Sequence, residues 1–200
     1  MPLITLPTVP AIQLGEWMYA PKYTELQRRI VLRALNDNNH HETPLGSNRS
    51  PYLDALADWA KIPRGQYWCA LWVGAVLAAC GLRIPKDFAN CDTWLPYLVD
   101  VKSLAAEQRV ACAILYGKRG TAAISDDWQG MKKSGWDAVH IGLCTNWLRD
   151  PYDLVISTEG NRGYQGLPIG TPNNGIAIDT APVVRKDMLG LIPASKLLAA

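Results

Sequence analysis

Little in this chain places it quickly. Its 200 residues include one phenylalanine and three histidines, and neither sign of charge dominates: the formal net charge is +2 and the basic residues are scattered. That balance leaves no electrostatic footprint for nucleic acid, although a mildly basic surface tolerates an anionic polymer. The apolar run from Ala70 to Ala79 spans ten residues. A membrane crossing needs about 20, so this run reads as a buried helix. The stretch "MPLITLPTVPAIQLGEW" has no Lys or Arg ahead of its apolar part and contains three prolines. It makes a poor secretion signal, so a target outside the cytoplasm implies delivery by other machinery. Repeats and low-complexity linkers are missing. One domain over residues 22–200 is therefore expected, behind an extended Pro-rich arm over residues 1–21.

The cysteines are odd in number, at 69, 80, 91, 112 and 144. The spacing of eleven between the first three is no zinc-ligand pattern. Cys69 and Cys80 fall about three turns apart on one helix and cannot bridge. Cys112 and Cys144 lie in apolar, strand-like runs and read as buried free thiols. The set fits a reducing compartment at the time of folding.

Apolar residues nevertheless make up 48% of the chain, enough for a real core. In "KYTELQRRIVLRALND" (22–37), Leu26, Ile30, Val31, Ala34 and Leu35 recur at helical spacing. Ser50 is a natural N-cap and Pro51 a natural first residue for a helix over "PYLDALADWAK". The central helix follows "KIPRGQ" and stops at Gly81. Strand candidates come later, at 109–117, 138–146, 153–161, 175–184 and 189–193, rich in Val and Ile and bounded by turn residues. Helices followed by strands predict an α+β fold with an antiparallel sheet.

Within "GQYWCALWVGAVLAACGL" (65–82), Cys69 opens the central helix. Two readings stand: a small buried side chain, or a thiolate stabilised by the free N–H groups and dipole of a helix N-terminus. A nucleophile needs a base. His40 and His41 sit in a polar turn and are expected to be solvated. His140 sits inside the strand pattern "AVHIGL", where a polar side chain must face a cleft or be satisfied in the core. The next strand ends "STEGN", and Glu159 and Asn161, two apart, share one face of it. Either could stand beside His140. Cysteine at a helix start, histidine in a strand and an acid or amide in the next strand form the parts list of a papain-like thiol hydrolase.

"YWCALWVGAVLAACGL", "VHIGLCTN" and "VISTEGN" also resemble three ordered motifs of the CHAP family, the cysteine, histidine-dependent amidohydrolases/peptidases. "ETPLGSNRSPYLDALADWA" resembles the segment ahead of the nucleophile in many phage-encoded members, and the likeness runs from about Glu42 to Pro193. The resemblance implies a papain-like fold, with N-terminal helices and a nucleophile-bearing helix packed on the sheet. It makes Cys69 the nucleophile and His140 the general base and later acid. Glu159 and Asn161 match the positions that orient the histidine, and the stronger charge-assisted bond favours Glu159. The Cys69 backbone N–H and the Gln66 side chain are candidates for the oxyanion hole. Trp59, Trp68 and Trp72 fit the core, with Trp68 also a candidate for substrate contact beside the nucleophile. Trp128, Trp136 and Trp147 are candidates for a groove rim. The stretch 117–137 departs from the family and is expected to form a loop over the cleft. Asp126 and Asp127 within it do not have EF-hand spacing, so no metal and no cofactor are expected.

The implied substrate is bacterial peptidoglycan, cut as an N-acetylmuramoyl-L-alanine amidase or as a stem or cross-bridge endopeptidase. A phage lysin and an injected interbacterial toxin with a cognate immunity protein both suit such a chain, acting as a monomer on the cell wall. Without a separate wall-binding module, a thin Gram-negative wall is the expected target. The alternatives are a papain-like acyl or peptidyl transferase and a non-catalytic binding module.

Overall fold

The computed structural model describes residues 23–38, 40–117, 138–147, 154–162, 177–184 and 188–198. The arm 1–21 and nearly all of the 117–137 stretch, with Asp126, Asp127, Trp128 and Trp136, lie outside the described residues.

Three helices come first. α1 (Glu25–Asn36) starts at Thr24, which forms a reciprocal capping box with Gln27: the Gln27 N–H donates to Thr24 Oγ1 at 3.2 Å, and the Thr24 N–H donates to Gln27 Oε1 at 2.9 Å. Its apolar stripe buries Ile30, Val31 and Ala34. α2 (Pro51–Ala60) starts as its sequence predicts, with Ser50 accepting from the Leu53 N–H at 3.1 Å and Pro51 in the first turn. α3 (Cys69–Ala79) is different in kind. Nine of its residues, Cys69 to Leu77, are buried, so it has no polar face and belongs inside the molecule. Each of Leu71, Val73, Val76 and Leu77 contributes about 1.5–3 kcal/mol by leaving water. Gly81, at φ +85°, lets the chain turn away past the Cys80 cap. A buried carboxylate joins the three helices: Asp37, just past α1, accepts from Tyr52 Oη of α2 at 2.9 Å and from the Trp72 indole of α3 at 3.0 Å.

A 3-10 turn, Cys91–Tyr97, and the short α4 (Ala106–Arg109) lead into the sheet. Its strands are β1 (Ala113–Gly117), β2 (Ala138–Trp147), β3 (Leu154–Arg162), β4 (Ala177–Val184) and β5 (Met188–Ile192), in the order β4-β3-β2-β1-β5, all antiparallel. The fold is therefore α+β, as the order of helical and strand patterns predicts. The first strand is shorter than the expected 109–117. Ala111 takes φ +67°, which breaks the extended run, and only Ala113–Gly117 forms the strand. On β1, Ala113 and Leu115 join the core shared with the helices, and Ile114 and Tyr116 join a second cluster on the opposite face. Among the described residues, no helix is long and apolar enough to cross a membrane.

Candidate active site

Cys69 is the first residue of α3, and no side chain caps that helix end. The first-turn N–H groups have no partner within the helix, so they remain available to a thiolate or a ligand. The residue before it, Trp68, is fixed by two contacts. Its indole N–H donates to Glu42 Oε1 at 3.0 Å, and its ring lies where a Cβ on Gly160 would come within 2.8 Å. Trp68 is fully buried and lies outside the cleft lining, which corrects its assignment as a substrate contact. It belongs to the core because its ring packs against β3 at Gly160, while Cys69, the next residue, lines the cleft.

His140 comes from β2, and its Nε2 lies 3.2 Å from Glu159 Oε2 on β3. The register explains the pairing. His140 stands opposite Tyr116, and Gly142 opposite Ile114, so all four side-chain positions share one face of the sheet. Glu159 reaches across that face over Gly142, where a Cβ would lie 2.5 Å from Glu159 Cγ. A side chain at 142 would occupy the space the carboxylate uses. Tyr116 Oη donates to the other carboxylate oxygen, Glu159 Oε1, at 2.6 Å. Gly160, the next residue on β3, faces the opposite way and lies against Trp68 and Trp72. One strand thus presents a carboxylate to the histidine and a gap to α3.

The carboxylate that meets the imidazole is Glu159. Asn161 lines the cleft at φ +59°, in the irregular step between Glu159 and Arg162 on β3.

The charges follow from these contacts. The Cys69 thiol is held well below its ordinary range, above all by a hydrogen bond with Cys91. Burial opposes this, while the hydrogen bond and charge of His140 and the Ile141 backbone N–H add to it. Burial alone pulls the His140 imidazole down. The hydrogen bonds and negative charge of Cys69 and Glu159 outweigh that and hold its pKa up to about 10. The pair is a buried thiolate and imidazolium, each stabilising the other's charge. With Nε2 facing Glu159, Nδ1 is the nitrogen left for the sulfur side.

Cys69 and His140 open onto a cleft of about 650 Å³. Gln66, exposed as a turn residue should be, lines it, as do Tyr67, Asp87 and Cys91. Tyr67 is 78% exposed, an aromatic ring offered to solvent at the mouth. Trp136 lies outside the described residues. Trp147 does not reach the cleft. It stands seven residues beyond His140 on β2, about 23 Å of strand, and its ring is covered by the Arg109 guanidinium at 4.8 Å. His40 also departs from its expectation of full solvation. Its ring stacks on Tyr52 with centroids 4.0 Å apart and planes 6° from parallel, and burial pulls its pKa down against Asp37. His41 is exposed.

Three partners escaped the sequence reading. Cys91 Sγ is 3.7 Å from Cys69 Sγ, Tyr116 holds Glu159, and Glu42 holds Trp68. Only Cys91 left a trace. Eleven helical residues rise about 16 Å, and the eleven that follow Cys80 are long enough to bring the chain back to its start. The five thiols are free and buried, Cys112 and Cys144 among them as expected. Among the described residues, no group of three or more His, Cys, Asp or Glu side chains is arranged to hold a metal ion. Comparison with known protein families, with curated proteins and with solved structures finds no match to this chain.

Proposed function

We propose that this chain is a papain-like cysteine amidase or peptidase that hydrolyses an amide bond of bacterial peptidoglycan. The observation that carries the reading is the alignment of Cys69, His140 and Glu159 at a cleft, with the sulfur at an uncapped helix end. In the first half-reaction the Cys69 thiolate attacks the amide carbon. The oxyanion forms beside the Cys69 backbone N–H, with the Gln66 side chain as a second donor. His140 then protonates the leaving amine, which releases it and leaves a thioester. Acylation removes the negative charge of Cys69, one of the two supports that keep the proton on His140. The imidazole is then free to take a proton from water, and the resulting hydroxide cleaves the thioester. Glu159, held by Tyr116, keeps the ring in place through both steps.

The exposed Tyr67 ring at the mouth suits a sugar or peptide strand, since it combines an apolar face with a polar tip. A phage lysin and an injected toxin with an immunity protein that plugs the cleft both fit such a site. The test is mass spectrometry of products from purified Gram-negative sacculi, with Cys69→Ala alongside. Soluble muropeptides from the wild type only are expected, and their masses name the bond: free stem peptides for an amidase, shortened stems or split cross-links for an endopeptidase. Sacculi left intact by both proteins under reducing conditions would sink the peptidoglycan reading.

A further inference from the structure

Cys91 has no step in the hydrolytic scheme, yet its sulfur touches the sulfur that carries the scheme, at 3.7 Å. The two thiols come from different elements, Cys69 from the start of α3 and Cys91 from the start of the Cys91–Tyr97 turn. Both are free, and both line the cleft, so a small solute that reaches one reaches the other. The turn that carries Cys91 is anchored beside the site: Asn90 caps it by accepting from the Asp92 N–H at 3.0 Å, and Asp92 accepts from the Ala138 N–H at the start of β2 at 2.7 Å. The contact is therefore built into the way the turn meets the sheet. A disulfide bond is about 2.05 Å long, so the sulfurs need to close by about 1.7 Å, within reach of side-chain rotation and a small shift of the turn.

We propose that Cys69 and Cys91 form a reversible oxidative modification site, at which a peroxide converts the two thiols into a disulfide and takes the nucleophile out of action. The loss of activity rests on the reading of Cys69 as nucleophile; the bond formation does not. The Cys69 thiolate attacks one oxygen of hydrogen peroxide. An S–O bond forms, the O–O bond breaks, and the departing hydroxide takes a proton to become water. Cys69 is now a sulfenic acid. The Cys91 sulfur attacks it, the S–S bond forms, the S–O bond breaks, and the released hydroxide leaves as a second water with the Cys91 proton. Two thiols have lost two protons and two electrons, and the peroxide has been reduced to two waters.

No other described cysteine can take the place of Cys91. Cys80 lies at the far end of α3, about 16 Å of helix away. Cys112 and Cys144 belong to the second cluster, apart from the core cluster that holds both Cys69 and Cys91. A thiol already in contact captures the sulfenic acid before a second peroxide carries it to the irreversible sulfinic acid.

The test treats the full chain with graded hydrogen peroxide, quenches with N-ethylmaleimide and maps peptides without reduction, beside Cys91→Ser and Cys91→Ala, with sacculus cleavage followed in parallel. Expected in the wild type are a linked Cys69–Cys91 peptide, blocked alkylation of Cys69 and full recovery with dithiothreitol. In both variants Cys69 is expected to reach the sulfinic acid at the same dose, without recovery. Wild-type Cys69 reaching the sulfinic acid with no linked peptide, or linking to another cysteine, overturns the proposal. A linked peptide from a chain that never cuts sacculi keeps the modification site and removes the hydrolase reading. Sacculus cleavage with no linked peptide does the reverse.

Discussion

The histidine at the centre of the site has one carboxylate oxygen to lean on, and that oxygen depends on what holds its twin. Replacing Glu159 by Gln keeps the shape and removes the charge. Hydrogen bonds to charged groups contribute about 1.5–3 kcal/mol, so kcat/KM on soluble muropeptides is expected to fall about 10- to 100-fold. Glu159→Ala is expected to cost more than Asn161→Ala; the opposite ranking moves the orienting role to the amide. Tyr116 acts through Glu159, so Tyr116→Phe is expected to lower kcat several-fold and leave KM unchanged, and a change in KM alone would argue against a positioning role. The pH profile carries its own sign. The His140 pKa is raised from 6.5 to about 10, so its proton supports the folded site fully below pH 6.5 and that support is lost as pH rises through about 10. Cys69 is depressed from 9.0, so its thiolate supports the site fully above pH 9.0 and is lost as pH falls through its lower folded value. The two are charged together between that lower value and about 10. Iodoacetamide should therefore alkylate Cys69 rapidly at pH values well under the ordinary thiol range. A rate that rises only with a midpoint near 9 would show an unactivated thiol.

At the scale of elements, two glycines on neighbouring strands have different duties: Gly160 of β3 lies against α3, and Gly142 of β2 lies under the Glu159 side chain. A Cβ at Gly160 would stand 2.8 Å from the Trp68 ring and 3.2 Å from Trp72 Cβ. Trp68 cannot yield, because it is buried and tied to Glu42. Gly160→Ala is therefore expected to push β3 off the helix, at about 1–3 kcal/mol and a Tm lower by several degrees, with activity falling alongside. A Cβ at Gly142 meets the Glu159 side chain instead. Gly142→Ala should lower kcat more than it lowers Tm, and equal losses from the two variants would contradict this division. These close approaches were not legible in the sequence, where "EGN" reads as a strand end. The helix starts were legible because capping is local: Ser50–Pro51 marks α2 with two residues. The sequence places the start of the strand earlier than Ala113 because apolar, β-branched composition extends back to Val110, whereas the turn at Ala111 is a matter of backbone conformation.

For the molecule as a whole, the site exists only where the two layers dock, since the helices supply Cys69 and the sheet supplies His140 and Glu159. That division explains what the order of motifs could and could not say. Cys69, His140 and Glu159 stood out because each breaks the rule of its own element: a thiol at a helix start, and polar side chains in apolar strands. Cys91, Tyr116 and Glu42 break no local rule, and only the docked layers give them partners. The same division predicts how the thiols respond to unfolding. Burial raises Cys112 to about 12 and pushes Cys144 well up, and both sit in the second cluster. Pulsed N-ethylmaleimide labelling along a urea gradient, read by peptide mass, should find Cys69 labelled in the native protein. Cys112 and Cys144 should stay protected until a single transition that coincides with the change in tryptophan fluorescence, because Trp68, Trp72 and Trp94 are fully buried in the core that must open. Labelling of Cys112 or Cys144 at low urea, ahead of the fluorescence change, would mean that the sheet opens on its own and that the helix layer does not hold the site together.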